Sequence, residues 1–325
     1  MKGVPTVPTE HRTSHREVVA APADLVFELL TEADRWPAIF GPNIFLRYLE
    51  RTESEERFQL WALVGGEVKT WTSRREVDRH LRTIGFRQER SQPPVAAMSG
   101  RWQVLPLPGG RTEVILDHEF TAVGDDAAAV QWISAALERN SVEELAALRR
   151  VAELGHPVAE VVFTFEDTVE LTGSAEEAYD FIDRADRWPD LLPHVRRVVL
   201  TEETPGVQQL EMDTVSGDDG STHTTRSVRV CLANDSIAYK QTRPPSTLLG
   251  HSGVWIFHRV PDGPDVVTAR HTVVLDPDAL RTVLGPSSSL AEGRRYLRDA
   301  LGANSRRTLA GAAAPVSSTE KREVR

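Results

Sequence analysis

The chain contains the same pentapeptide twice: Ala33-Asp34-Arg35-Trp36-Pro37 returns 152 positions later as Ala185-Asp186-Arg187-Trp188-Pro189. The flanks agree. Pro22-Ala23 faces Ser174-Ala175, Phe27 faces Tyr179, Leu30 faces Ile182, and Thr72 and Arg74 face Thr224 and Arg226 at the same offset. Further on, Pro93-Pro94 matches Pro244-Pro245, Gly100 and Trp102 match Gly253 and Trp255, and His118 matches His271. Leu137, Asn140, Ser141 and Leu145 then match Leu301, Asn304, Ser305 and Leu309 after an insertion of about eleven residues. The chain is therefore a tandem duplication. Copies of about 150 residues are too long for solenoid units, and each is large enough to bury a core of its own. The expected domains are 1–155 and 156–311, with a boundary near Gly155-His156-Pro157 and a frayed Ala-, Ser- and charge-rich tail over 312–325.

Each copy reads as strand, helix, several strands and a long C-terminal helix. In the first, Arg16 to Ala20 is a short strand, and Pro22 opens a helix where a missing N–H costs nothing. Trp36-Pro37 is expected to end it, because the residue before Pro is pushed out of the α region. Strand composition recurs near 44–50, 57–64, 67–78, 83–89, 99–106 and 112–122. In the last of these Val114, Leu116, His118 and Phe120 share one face, and Glu113, Asp117 and Glu119 the other, as in an antiparallel sheet with one wet side. The second copy repeats the pattern at Val267, Ala269, His271 and Val273. From Asp125 to Glu153 an apolar stripe runs through Ile133, Leu137, Ser141, Leu145 and Leu148. This order predicts an α+β fold, a curved antiparallel sheet gripping one long helix with a cavity between them.

Composition excludes several classes. The formal charge of −10, from 38 Lys plus Arg against 48 Asp plus Glu, with no basic block longer than Arg294-Arg295 or Arg306-Arg307, argues against nucleic acid as a partner. A single cysteine, Cys231, forbids an intrachain disulfide and a cysteine-rich metal site. Residues 1–20 are polar and carry Pro5 and Pro8, and nothing approaches the roughly 20 apolar residues of a membrane span. A cytoplasmic protein is expected. No Gly-rich phosphate loop, His-Glu-x-x-His or nucleophile elbow is present, so redox and phosphoryl chemistry lose their usual supports, and neither a metal nor a cofactor is expected.

The paired Asp-Arg-Trp-Pro motifs, the Trp71-Thr72-Ser73-Arg74-Arg75 strand, the Pro-Pro and Gly-x-Trp segments and the Asn-Ser of the last helix, taken in tandem, resemble a known family. It is that of the di-domain aromatase/cyclases of bacterial type II polyketide synthases, in the START-like helix-grip superfamily. The resemblance implies two tandem START-like domains working in polyketide antibiotic biosynthesis. It also implies a poly-β-ketone substrate tethered to an acyl carrier protein, in this branch already ketoreduced, among the other synthase components. First-ring aldol closure between carbons seven and twelve would precede dehydration to an aromatic ring.

Such chemistry asks for donors on an oxyanion and a proton shuttle. Strand side chains alternate, so if Trp71 faces inward, Ser73 and Arg75 do too. Arg75 is expected to hold a developing enolate, a contribution typically worth about 2.7–4 kcal/mol, and Ser73 to pass protons; the family's matching Ser and Arg are cavity residues. The competing expectation is that Arg75 pairs with Glu76, Glu67 or Asp78 on the sheet surface. In the second copy His223, Thr225, Ser227 and Arg229 take the inward positions, so the Trp is replaced and the Arg moves one pleat along. Trp36 and Trp188 are expected at the lip of each cavity, or else packed behind the helix end, with Phe40 on the following loop. Trp102 and Trp255 line the floor or the core. His118 and His271 lie on dry faces, as hydrogen-bonded core groups or as bases. Asn140 and Asn304, beside the helix stripe, are candidate contacts for a ketone oxygen. Cys231 reads as a small core residue. A START-like carrier that shelters a hydrophobic ligand unchanged is the alternative function, and it would predict a purely apolar lining.

Overall fold

The computed structural model describes residues 8–216 and 221–313; the expected tail, apart from residues 312 and 313, lies outside them. The chain divides into two compact units, Met1–Ala159 and Glu160–Arg325.

The first unit runs β1 (His11–Val19), α1 (Ala23–Thr31), α2 (Trp36–Ile39), β2 (Asn43–Arg51), β3 (Glu55–Val64), β4 (Glu67–Asp78), β5 (Thr83–Arg90), β6 (Val95–Leu107), β7 (Arg111–Ala122) and α3 (Ala127–Ala152). Its strands form one antiparallel sheet in the order β1-β7-β6-β5-β4-β3-β2. The helix α3 is capped by Asp126, whose carboxylate accepts from the Ala128 and Ala129 N–H groups, and lies against β1 and β7. Two expectations need correction. Strand β1 starts five residues before Arg16, because its inward positions His11, Thr13, His15 and Glu17 are polar and carry no hydrophobic alternation. Trp36-Pro37 does not end the first helix: α1 stops at Thr31, Ala33–Arg35 form a 3-10 turn, and Pro37 sits in the first turn of α2, where its missing N–H is harmless.

The second unit begins with α4 (Val158–Val161) and continues through β8 (Val162–Glu170), α5 (Ala175–Asp183), α6 (Trp188–Leu191), β9 (Val195–Thr204), β10 (Val207–Ser216), β11 (Ser221–Leu232), β12 (Ser236–Arg243), β13 (Leu248–His258), β14 (Val266–Leu275), α7 (Pro277–Leu284) and α8 (Leu290–Ala313). Its sheet has the equivalent order, β8-β14-β13-β12-β11-β10-β9. The inserted residues near 277–287 supply α7, capped by Asp276. A core of Tyr179, Ile182, Trp188, Ile237, Trp255 and Leu309 joins α5 and α8 to the sheet.

The two copies fall out of step at one hairpin. Val64 pairs with Glu67 across Gly65-Gly66, both at positive φ (64° and 90°), as a two-residue turn requires. The corresponding pair, Ser216 and Ser221, is separated by four residues. Beyond it the offset is therefore 154: Glu56 lies opposite Arg75, and Gln208 opposite Arg229. Arg229 has not moved by a pleat; it is the counterpart of Arg75. Thr225 replaces Trp71, His223 stands for Lys69, and the apparent match of Thr72 and Arg74 with Thr224 and Arg226 is out of register by two.

Candidate functional site

Each unit holds a cavity between sheet and long helix. The first, about 170 Å³, is lined by every first-copy residue expected from the sequence: Trp36, Phe40, Trp71, Ser73, Arg75, Trp102, His118 and Asn140. Strand alternation carries Trp71, Ser73 and Arg75 inward together, and Ser73 and Arg75 are buried. Gly100 explains the Gly-x-Trp motif, since a Cβ there would lie 2.4 Å from the Phe86 ring and 2.3 Å from the Asp117 carbonyl. Its absence lets Phe86 lie across the strand and meet the His118 ring edge-on at 5.5 Å.

Arg75 is 1 % exposed and tightly held. Its Nε donates to the Glu56 carboxylate, Nη1 to the Leu30 carbonyl at 2.8 Å and Nη2 to the Thr31 carbonyl, while the guanidinium lies 5.0 Å over Trp36 and 5.9 Å over Phe58. The partner is thus Glu56, buried across the hairpin, rather than Glu76, Glu67 or Asp78 on the surface. Three N–H groups are committed to the protein, and they tie β4 to β3 and to the end of α1. Trp36 packs here, against Arg75, Phe40 and Phe58, while lining the cavity, and its indole N–H is buried without a protein partner.

Two titratable groups line the cavity from different elements, one on the sheet and one on the long helix. On the sheet, His118 is 8 % exposed, and burial, reinforced by nearby His15 and opposed by Asp117, holds its pKa down to about 4. On the helix, Glu144 lines the cavity and takes a long contact, 3.5 Å, from the Asn43 amide. Burial pushes its carboxyl up to about 7, with Asn43 opposing and Glu143 adding to the rise. Asn140 donates to the Leu63 carbonyl at 3.1 Å, so one of its two amide N–H groups braces β3, and the other N–H and the oxygen are left for other contacts. Trp132 of α3, 36 % exposed, lies against Gly65 and closes the lining beside the Gly65-Gly66 turn.

The second cavity, about 120 Å³, is lined by Trp188, His223, Thr225, Arg229, Trp255, His271 and Asn304, again every residue expected. Its chemistry differs. Tyr239 and His251 occupy the places of Phe86 and Met98, and they close a network: His271 Nδ1 lies 2.9 Å from Tyr239 Oη and 3.0 Å from His251 Nε2, His251 Nδ1 lies 2.8 Å from Gln241, and His271 Nε2 meets Ser305 Oγ. Burial holds His271 down to about 3 and His223 below its ordinary value. Arg229 donates to the Ile182 and Asp183 carbonyls, as Arg75 does to Leu30 and Thr31, but Gln208 stands where Glu56 would neutralise it, and burial pulls the guanidinium below its ordinary value. Trp188 is 6 % exposed and donates to the Phe181 carbonyl at 3.0 Å, a core position and not a lip. Cys231 is half-buried, and burial pushes its thiol up to about 12, which makes it inert.

A family model described as polyketide cyclase/dehydrase and lipid transport matches residues 19–143 and again 171–285. The chain belongs to this family. The two matches fall one in each unit, and the second ends before α8, whose Asn304 and Ser305 line the second cavity. The chain is 52% identical, over 94% of its length and 94% of the relative's, to the granaticin polyketide synthase bifunctional cyclase/dehydratase of Streptomyces violaceoruber. It is 49% identical, over 94% and 97%, to the actinorhodin polyketide synthase bifunctional cyclase/dehydratase of Streptomyces coelicolor. Among solved structures it resembles the di-domain aromatase/cyclase BexL from the BE-7585A biosynthetic pathway, with 45% identity, a TM-score of 0.76 and coverage of 93% and 97%. The di-domain aromatase/cyclase StfQ from the steffimycin biosynthetic pathway gives 36% and 0.75. The resemblance read from the motifs thus holds over almost the whole chain, as an aromatase/cyclase enzyme with two START-like domains.

Glu144 and Trp132 are among the lining residues of the first cavity that the motifs did not single out. Glu144 had a signal, because it continues the inward stripe three residues after Ser141 and four after Asn140.

Proposed function

We propose that the chain takes a ketoreduced poly-β-ketone from an acyl carrier protein, alongside other type II synthase components in the cytoplasm. It closes the first ring by an aldol step between carbons seven and twelve and dehydrates it to an aromatic ring in the first cavity. The observation that carries this reading is that one cavity is lined both by Glu144, from the long helix, and by His118, from the sheet. A carboxyl with a pKa of about 7 is matched to proton transfer near neutrality. Glu144 removes a proton from a methylene flanked by two carbonyls, and the resulting enolate attacks the ketone of the other arm, forming the C–C bond. The alkoxide takes up a proton. In the dehydration a C–H bond and the C–O bond break, the C–H electron pair becomes the C=C bond, and the oxygen leaves as water after protonation from the His118 side. Ser73, with its hydroxyl on the cavity wall, hydrogen-bonds the carbonyl oxygen being converted. Arg75, committed to Glu56 and to α1, is a positioning residue that fixes the wall against which the chain folds. Holding reacting carbons together is itself worth roughly 7–11 kcal/mol. A purely sheltering cavity would have no use for a neutral-pH acid and a histidine in one lining.

The test is product analysis of a reconstituted synthase and ketoreductase with this protein, without it, and with Glu144→Gln. A shift from mixed shunt products to one first-ring aromatic compound, lost with Glu144→Gln, is expected. An unchanged mixture with the wild-type protein would overturn the reading.

A further inference from the structure

Between the first cavity and the β1 edge of its sheet lies a cluster of polar atoms of which the proposed reaction uses only His118, and that only through its cavity side. Among the described residues, Thr13 Oγ1, His15 Nδ1, His118 Nδ1 and Ser141 Oγ are all buried with no protein partner. They belong to one place. Thr13 lies directly opposite His118 in the β1–β7 register, which sets their Cβ atoms roughly 4.5–5.5 Å apart, and His15 is the diagonal neighbour at roughly 7–8 Å. Ser141 and Glu138 are three residues apart on the α3 face that covers these strands, and Glu138 Oε2 lies 2.8 Å from His15 Nε2. The residues are well enclosed: Ser141 is 1 % exposed, His118 8 % and the His15 side chain 9 %, whereas the Glu138 side chain is 68 % exposed.

Buried polar atoms that lack protein partners and converge on one point are satisfied by ordered water. We propose that Thr13, His15, His118 and Ser141 hold a buried water that links His118 to Glu138 at the surface, and that this chain is the proton path by which the enclosed cavity is resupplied. The inference rests on the first cavity being the site of dehydration. When the hydroxyl leaves, His118 gives up the proton on Nε2 to that oxygen and takes one at Nδ1 from the water. The water is reloaded from His15 Nδ1, and His15 takes its proton at Nε2 from solvent by way of the exposed Glu138 carboxylate, and a proton returning along the same chain restores the two imidazole tautomers. Each group gains and loses one proton, the substrate loses H and OH as water, and the α-proton held by Glu144 returns to solvent. Because the imidazole passes a proton through its two nitrogens, it never has to remain charged in a site that disfavours the cation.

The second unit lacks the device. Phe165 stands at the register position of Thr13 and stacks on His271 at 4.9 Å; Asp167 stands for His15 and is bound by Arg298 and Arg306; and the His271 nitrogens are taken up by Tyr239, His251 and Ser305.

A crystal structure of the full chain is expected to show an ordered water within hydrogen-bond distance of His15 Nδ1 and His118 Nδ1; a dry, collapsed site would overturn the proposal. Thr13→Phe copies the second unit and fills the water position, and Thr13→Val removes only the hydroxyl should the larger residue fail to fold. In the reconstituted system, Thr13→Phe and Glu138→Gln are expected to lower kcat for aromatisation by about 10²-fold at unchanged KM and to alter its solvent deuterium isotope effect. Folded variants with an unchanged kcat and isotope effect would overturn the relay. The underlying reading has a separate control, His118→Gln: if that variant is fully active the first cavity is not the dehydration site, whereas its loss with Thr13 and Glu138 indifferent sinks the relay alone.

Discussion

Arg75 and Glu56 face each other across the β3–β4 hairpin, both buried, and form the ion pair that ties the middle of the sheet to the last carbonyls of α1. Removing one member of such a pair leaves the other charged and unpaired, which typically costs 3–5 kcal/mol. Glu56→Ala is expected to lose about that much in urea unfolding, and Arg75→Ala less, because Glu56 keeps its ion pair with Arg51 at 3.1 Å. Glu56→Gln should be far milder, because Gln208 already serves opposite Arg229 on the same scaffold. Equal losses for Ala and Gln at position 56 would contradict this.

Glu144 gives the reaction a pH signature. With its carboxyl at about 7, the ionised base accumulates as pH rises through 7, so the cyclisation rate should climb with an apparent pKa near that value. Glu144→Gln should lower the rate by about 10²–10⁴-fold and abolish the rise. The linkage has the opposite sign for stability. A carboxyl raised on folding favours the folded state at low pH, and that advantage is lost as pH climbs from its ordinary 4.5 through 7. The variant should therefore match or exceed the wild type in Tm above pH 7.

The paired tryptophans separate packing from hydrogen bonding. Trp188 donates its indole N–H to Phe181, whereas the Trp36 N–H has no protein partner. Trp188→Phe should thus cost about 0.5–1.5 kcal/mol more than Trp36→Phe in matched denaturant titrations. Equal costs would show that the bond contributes nothing.

Acid should attack both units through their buried histidines. His118 and His271 are held to about 4 and about 3, so the unfolded chain binds more protons than the folded one once pH falls below the ordinary value of 6.5. Stability should be full above 6.5 and fall, by up to about 1.4 kcal/mol per histidine per pH unit, until those lower values are reached. His271→Gln should flatten the dependence in the second unit, read from thermal melts between pH 7 and 4.

Much of this was legible in the residues. The repeat and the strand-and-helix order follow from spacing, which also puts Trp71, Ser73 and Arg75 on one face; that this face is the cavity face came from the family resemblance, and the residues anticipated line one or other cavity. What the sequence concealed has physical causes. Strand β1 was shortened because its inward side chains are Thr and His, polar groups that serve a buried site rather than a hydrophobic core. Glu144 was overlooked because Glu143-Glu144 reads as a solvated helix face, although its position relative to Ser141 is that of a lining residue. The partner of Arg75 came from across the hairpin, where sequence proximity is no guide. Arg229 was misplaced because a gapless comparison cannot register a longer link between β10 and β11.

That longer link also says something about how duplicated copies can drift. Side chains on a strand alternate with a period of two, so one added residue would have thrust Arg229 into water and brought its wet neighbours against α8. Two added residues restore the facing while changing which residue stands at each level of the pocket. Parity therefore filters insertions in this hairpin: an even one remodels the wall, Thr225 for Trp71 and His223 for Lys69, while the buried arginine keeps its seat.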